Sequence, residues 1–298
     1  MTNLAIECSG VGKTYKEFTL KDINLRLEKG QVMGFIGPNG AGKSTTIRIL
    51  MGLVYQDRGE VRVLGHCMPD AQALAKRDIG YVSEDMRLFP NATLGWHMGF
   101  MQKIYPAWDT KYAEDLLHRF DLKASQKIKG MSHGQRVKST LLLAFARFPK
   151  LLILDEPTTG LDPVARQEVL SAMMEVLADE DRTILFSSHN TQDIEHLSDS
   201  ITFIDRGEVI SSSTKDDFMD RWRRVRVELP QGIDLPNVPG VKHIQRSGSI
   251  AVVTTGLFNG TTTELIESGG GKILGVEPMT LEEIFVTDVS ASRGRALT

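Results

Sequence analysis

Only two cysteines, Cys8 and Cys67, occur in 298 residues, and their spacing fits neither a zinc site nor a disulfide framework. That shortage points to a reducing compartment, with both thiols expected as small buried apolar groups. Nowhere does an apolar run reach the length that spans a bilayer: the richest, residues 141–146 and 151–154, are interrupted by Arg147, Pro149 and Lys150. Residues 1–10 lack a cationic start before an apolar core, so no signal peptide is expected. A basic block is missing too. The net charge of −3 arises from intermingled cations and carboxylates, so no nucleic acid is expected as partner. What these absences leave is a chain with room for a large α/β domain and a smaller appendage.

The most informative stretch is Gly37-Pro38-Asn39-Gly40-Ala41-Gly42-Lys43-Ser44-Thr45, which satisfies G-x-x-x-x-G-K-[ST] at every position. Its glycines let the backbone turn tightly and aim N–H groups inward, forming a nest for an anion. Lys43 adds a full positive charge for β- and γ-phosphates, and the Ser44 hydroxyl suits a Mg²⁺ ion. Residues 31–36 read as the strand that feeds this loop, and residues 43–53 as a helix whose N-terminal dipole also favours phosphate.

Ahead of the loop, residues 4–27 alternate like short strands, and Tyr15 among them is either an aromatic that stacks on a purine or a tyrosine packed on a sheet edge. Residues 86–128 are rich in methionine and aromatics, including Phe89, Trp96, Phe100, Tyr105 and Trp108. They suggest a helical insertion, reaching to about residue 147, whose large side chains are core. In Met131-Ser132-His133-Gly134-Gln135, Ser132 stands where the N-cap of the following helix belongs.

Residues 151–154 are continuously apolar and end in Asp155 and Glu156, the pattern of a buried parallel strand delivering acids to the edge where α/β proteins bind ligands. Asp155 can reach Mg²⁺ directly or through water, and Glu156 is placed to act as general base on an attacking water. Residues 183–188 form another strand ending at His189, either a satisfied structural histidine or, beside a triphosphate, a γ-phosphate sensor. A hairpin around Arg206-Gly207 follows. From about residue 214 strands and short helices mix into a small α+β domain carrying no motif with nameable chemistry, with Pro/Gly-rich connecting sequence at 230–239 and a frayed end at 290–298.

Taken together and in order, these elements resemble the ATP-binding subunit of an ATP-binding cassette (ABC) transporter. The resemblance covers about residues 4–213 and implies a P-loop ATPase domain of ABC type over 1–213, with 214–298 as the small C-terminal domain. Its motifs match residues 37–45 as the Walker A loop, Tyr15 as the adenine-stacking aromatic, and Ser132, Gly134 and Gln135 as part of the signature. Asp155 and Glu156 match the Walker B pair, Asp162 the D-loop carboxylate and His189 the switch histidine. Two positions depart from the pattern: Glu84 stands where a glutamine usually contacts Mg²⁺ and the attacking water, and His133 replaces the first glycine of the signature. The ending over residues 279–286 is more distantly similar to ATPase subunits of bacterial exporters.

The resemblance implies that two such subunits meet head to tail with ATP between the Walker A loop of one and the signature of the other. It also implies a separate membrane permease docking near residues 84–96, and a cytoplasmic location at the inner face of the cell membrane. Soluble relatives acting on DNA or the ribosome are a competing reading. The gap between Glu84 and Ser132 leaves no room for a long coiled coil, however, and only one Walker A loop is present. A regulatory subunit with little turnover is opposed by Glu156 and His189, and a P-loop kinase has no need of residues 132–135.

Overall fold

The computed structural model describes residues 3–177, 182–230 and 235–294, and divides the chain into two compact units, Met1–Val209 and Ile210–Thr298. The first unit opens with two long strands, β1 (Leu4–Thr14) and β2 (Thr19–Glu28), then β3 (Val32–Ile36), α1 (Lys43–Leu50), β4 (Arg58–Val63), β5 (His66–Met68), α2 (Gln72–Ala75) and β6 (Ile79–Ser83). Helices α3 (Leu94–Ile104) and α4 (Thr110–Arg119), a short 3₁₀ turn and α5 (His133–Phe145) follow. Next come β7 (Leu151–Asp155), α6 (Pro163–Leu177), β8 (Thr183–Ser188), α7 (Thr191–Leu197) and β9 (Ser200–Asp205), and β10 (Glu208–Thr214) runs across the boundary between the units.

Strand order β10-β9-β3-β8-β7-β6 makes a six-stranded sheet in which β3, β9, β8, β7 and β6 run parallel. Every residue of β3, β7 and β8 is buried, as expected where helices cover both faces of a parallel sheet. Each fully buried side chain of residues 151–154 contributes roughly 1.5–3 kcal/mol, so this strand is anchored before its polar end is reached. A second sheet, β2-β1-β4-β5, is antiparallel, and one apolar core joins its Ile6, Leu25 and Val61 to Phe35, Ile47 and Ile153 of the layers around α1.

This register places four strand ends on one edge. Ser83, Asp155 and Ser187 are laterally paired, and Ser188 pairs with Ile36. Glu84, Glu156, His189 and Gly37 are therefore each the first residue beyond neighbouring strands. Among the described residues no helix is long and apolar enough to cross a membrane.

Several expected boundaries move. The phosphate-loop helix ends at Leu50 rather than residue 53, because Gly52 turns left-handed (φ 61°) and Leu53 is exposed. Burial pushes the Cys8 thiol up to about 12, fitting an apolar role, whereas Cys67 is exposed, contrary to expectation, on the short strand β5. The aromatic insertion is also not wholly core. Only Leu94 and His97 of α3 are buried, and Phe89, Trp96, Phe100 and Ile104 remain 45–62 % exposed, because α3 is apolar on more sides than its neighbours cover.

In the second unit, α8 (Lys215–Arg221) and β11 (Arg223–Glu228) precede β12 (Val241–Ser247), β13 (Ile250–Thr255), α9 (Gly260–Ser268), β14 (Lys272–Pro278) and α10 (Leu281–Ser292). The antiparallel sheet β12-β13-β11-β14 buries Val225, Val227, Ala251 and Val253 with Ile266 of α9. The last helix reaches Ser292, into the stretch expected to be frayed from residue 290, so residues 290–292 are helical. Part of the expected connection, 231–234, and of the expected frayed end, 295–298, lies outside the described residues.

Candidate functional site

Between β3 and α1 the chain makes the loop that its glycines require. Gly42, at φ 113°, caps α1 with no side chain, so the first N–H groups of that helix are left without a side-chain acceptor and no acidic residue occupies the first turn. At Gly37 a Cβ would sit 2.4 Å from the Ile204 carbonyl oxygen, which only glycine avoids. Asn39 and Gly40 are exposed, Pro38, Ser44 and Thr45 half-buried, and Ala41 and Lys43 buried.

Lys43 extends back over this loop. Its Nζ donates to the Gly37 carbonyl at 2.6 Å and to that of Pro38 at 3.4 Å, and lies 3.1 Å from Glu156 Oε1. Glu156 reaches it because the residue adopts a left-handed backbone (φ 53°), strained for a non-glycine, just past the end of β7. Its other oxygen, Oε2, accepts from Thr159 Oγ1 at 2.9 Å and lies 2.8 Å from Nδ1 of His189. Oε1 is buried and has no aligned hydrogen bond in addition to the ion pair. Burial pushes the Glu156 carboxyl up, but the Lys43 ammonium beside it, together with the hydrogen bonds from Thr159 and His189, outweighs that and holds the group below the usual glutamate range.

Asp155 is buried, and its Oδ1 accepts from Ser187 Oγ at 2.6 Å; that same Oγ accepts from the Glu156 backbone N–H at 3.0 Å. Ser187 thus braces both acids, a role no motif announced. Glu84 is exposed and shares a cavity of about 600 Å³ with His133, Asp155, Glu156 and Thr159, while its backbone carbonyl accepts from Arg87. Thr158 and Arg166 converge on buried Asp193, fixing the start of α6 against α7. Sequence reasoning missed Thr158, Thr159, Ser187 and Asp193. Their only signal is position beside a strand end, which buried hydroxyls share with many structural residues.

The remaining predicted positions lie apart from this cluster. Ser132 caps α5, its hydroxyl accepting from the Gln135 N–H while Gln135 Oε1 accepts from the Ser132 N–H, a reciprocal capping box. Gly134 is the second residue of that helix. Asp162 Oδ1 accepts from the N–H groups of Val164 and Ala165 at the start of α6; the Ala165 bond first, opposed by slight desolvation, holds its carboxyl low. Tyr15 is 43 % exposed in the β1–β2 turn, with Lys13 Nζ 5.8 Å from its ring. Among the described residues no hydrogen bond or ion pair joins residues 37–45 to residues 132–135.

A groove of about 400 Å³ runs beside this site, lined by Leu53, Tyr81, Phe89, Phe100, Tyr105 and Arg147. At its rim Trp96 stacks on Phe100 with centroids 5.4 Å apart and meets Phe89 edge-on at 5.6 Å. Buried His97 positions Phe89: its Nε2 accepts from the Phe89 N–H at 3.0 Å, so Nδ1 carries the proton donated to the Thr93 carbonyl.

Comparison with known proteins gives a consistent picture. A family model described as ABC transporter matches residues 20–159. A linearmycin resistance ATP-binding protein, LnrL of Bacillus subtilis (strain 168), is 36 % identical over 222 residues, covering 72 % of this chain and 71 % of that protein. The Nod factor export ATP-binding protein I of Bradyrhizobium sp. (strain SNU001) is 30 % identical over 299 residues, 96 % of each chain. An ABC transporter ATP-binding protein of B. subtilis, YtrB, is 27 % identical and covers 92 % of this chain and 94 % of its own. Among solved structures, an ATP-binding subunit of an ABC transporter superposes with a TM-score of 0.66 at 30 % identity, over 72 % of this chain and 92 % of that one. A dimeric cassette bound to ADP and Pi in a post-hydrolysis state shares the fold, with a TM-score of 0.63 at 24 % identity, over 70 % and 98 %.

Proposed function

Because this chain belongs to the ATP-binding subunits of ABC transporters and is an ATPase of that class, we propose that two copies close head to tail around ATP and drive a separate membrane permease in the export direction. The domain expected over residues 1–213 would bind the nucleotide. The observation that carries this reading is the convergence of Lys43, Glu156 and His189 on one sheet edge beside an open helix N-terminus. Residues 37–45 would cradle the phosphates, Tyr15 would stack on the adenine, and Ser132, Gly134 and Gln135 would meet the γ-phosphate of the partner copy, with Asp162 at the seam.

In this reading Lys43 exchanges Glu156 for the incoming β- and γ-phosphates. Glu156, freed from that charge, takes a proton from water as its oxygen attacks the γ-phosphorus; the bond to the β-phosphate oxygen breaks, and ADP and phosphate leave. His189, already beside Glu156, holds the γ-phosphate and reports its loss. Removing the shared γ-phosphate removes the attraction between copies, so the pair opens and moves the permease.

The donor chemistry fits Mg²⁺. Among the described residues no group of three or more His, Cys, Asp or Glu could hold a metal alone. The Ser44 hydroxyl with the Asp155 and Glu84 carboxylates supplies hard oxygens of the kind Mg²⁺ takes alongside phosphate and water. Once bound, the ion would neutralise charge on the β- and γ-oxygens.

Export, rather than import, is supported by the relatives whose names carry export or resistance. The exposed aromatic rim of Phe89, Trp96 and Phe100 supports a permease segment as occupant of the adjoining groove. Glu156→Gln tests the chemistry. An amide cannot take the proton, so MgATP still binds while turnover falls on the order of 10²-fold or more; normal turnover would remove Glu156 from the role of base.

A further inference from the structure

His133 is the residue where this chain puts an imidazole at the first position of α5, and the imidazole reaches across to the loop after β7. We propose that His133 is a positioning residue for Glu156, acting through Thr159; the inference rests on the reading of Glu156 as general base. Nε2 of His133 lies 3.1 Å from the Thr159 carbonyl oxygen. A carbonyl only accepts, so Nε2 carries the hydrogen and donates it. Thr159 in turn is bonded twice to Glu156: its N–H donates to the Glu156 carbonyl at 3.2 Å, and its Oγ1 donates to Oε2 at 2.9 Å.

The result is a relay from the start of α5 to one oxygen of Glu156. Thr159 and His189 fix Oε2, leaving Oε1, buried and held only by the ion pair with Lys43, as the atom a water would meet once Lys43 has turned to the phosphates. A base held by one oxygen presents the other in one direction, and misplacing a reacting group by about an ångström is costly in rate. Gly160 makes the approach possible. It sits at φ +72°, and a Cβ there would lie 3.1 Å from His133 Nε2, so a larger residue would be strained and would crowd the imidazole.

His133 touches neither the phosphate loop nor Glu156 directly, so its loss should reduce the rate of the chemical step and spare nucleotide binding. Steady-state ATP hydrolysis and fluorescent-nucleotide binding are measured for wild type, His133→Ala, His133→Gln, Thr159→Val and the double variants. His133→Ala is expected to lower kcat about fivefold to tenfold with KM and Kd unchanged, a loss typical of one positioned hydrogen bond. His133→Gln should rescue it, since its amide N–H reaches about as far as Nε2. In the Thr159→Val background, where the hydroxyl link is gone, His133→Ala should cost nothing further. An unchanged kcat in His133→Ala, equal damage from Gln and Ala, losses that multiply in the double variant, or a change confined to KM would each overturn the relay. Glu156→Gln, assayed alongside, separates the two ideas: an inactive Glu156→Gln with an inert His133→Ala sinks only the relay, whereas an active Glu156→Gln sinks the base itself.

Discussion

Lys43 and Glu156 pair with side chains only 7 % and 10 % exposed, and that pairing has a thermodynamic consequence. The folded carboxyl is held below its ordinary range, so the interaction stabilises the fold above the unfolded glutamate value of roughly 4.3 and is lost as pH falls through the lower folded value. Glu156→Gln leaves the Lys43 charge buried without its counter-charge, and should lower nucleotide-free stability at neutral pH by about 1–3 kcal/mol. Urea unfolding followed from pH 7 to well below pH 4 should show that deficit holding down to about the unfolded glutamate value and shrinking beneath it; a deficit that grows on acidification would mean the pair is not what holds Glu156. Glu84 poses a different question, because its carboxylate is exposed yet lines the cavity that also holds Asp155 and Glu156. A carboxylate attracts a divalent cation more strongly than an amide does, though it also repels an anionic phosphate. With the ion between them attraction should dominate, so Glu84→Gln is expected to raise the Mg²⁺ concentration for half-maximal ATPase activity roughly threefold or more. An unchanged titration curve would take Glu84 off the metal.

Helix α3 is the element whose sequence was most easily misread. Its methionines and aromatics look like core, and periodicity cannot say which sides of a helix the neighbours will cover; here Trp96 and Phe100 stack on each other at the surface. Trp96→Ala should therefore cost folding only about 1 kcal/mol, the size of its ring contacts, and leave basal ATPase activity unchanged. If the rim docks the permease, the same change should weaken membrane association by roughly 30-fold, the size of an aromatic anchor. Expressed in its own host, wild type should sediment with the membrane fraction and Trp96→Ala should be depleted from it; equal sedimentation would move the docking surface elsewhere. The strands around the site were far more legible. β3, β7 and β8 are short apolar runs ending in Gly37, Glu156 and His189, so their polar ends could be assigned to one sheet edge from pattern alone. What those ends touch was not legible: Ser187, Thr159 and Asp193 act through buried hydrogen bonds whose geometry depends on strand register and on left-handed turns such as that of Glu156. The short β5 and α2 were also missed, being too brief to show a period.

At the scale of the whole molecule, one chain offers one phosphate loop and one capping box of Ser132 and Gln135, and among the described residues no hydrogen bond or ion pair connects them. On the proposed reading, a second copy supplies the signature half of each nucleotide site. Association driven through ATP must obey mass action, rising with protein and nucleotide together and vanishing when the γ-phosphate is lost. Glu156→Gln, which should hold ATP without consuming it, is the form in which to look. With saturating Mg²⁺ and ATP its mass by light scattering should double relative to the nucleotide-free protein, and with ADP it should return to that of one chain. Ser132→Arg in the same background brings a bulky cation to the seam and should abolish the dimer while leaving ATP binding to the phosphate loop intact. A Glu156→Gln protein that keeps the mass of a single chain at tens of micromolar with saturating ATP would exclude the symmetric pair and direct the search to a different partner subunit.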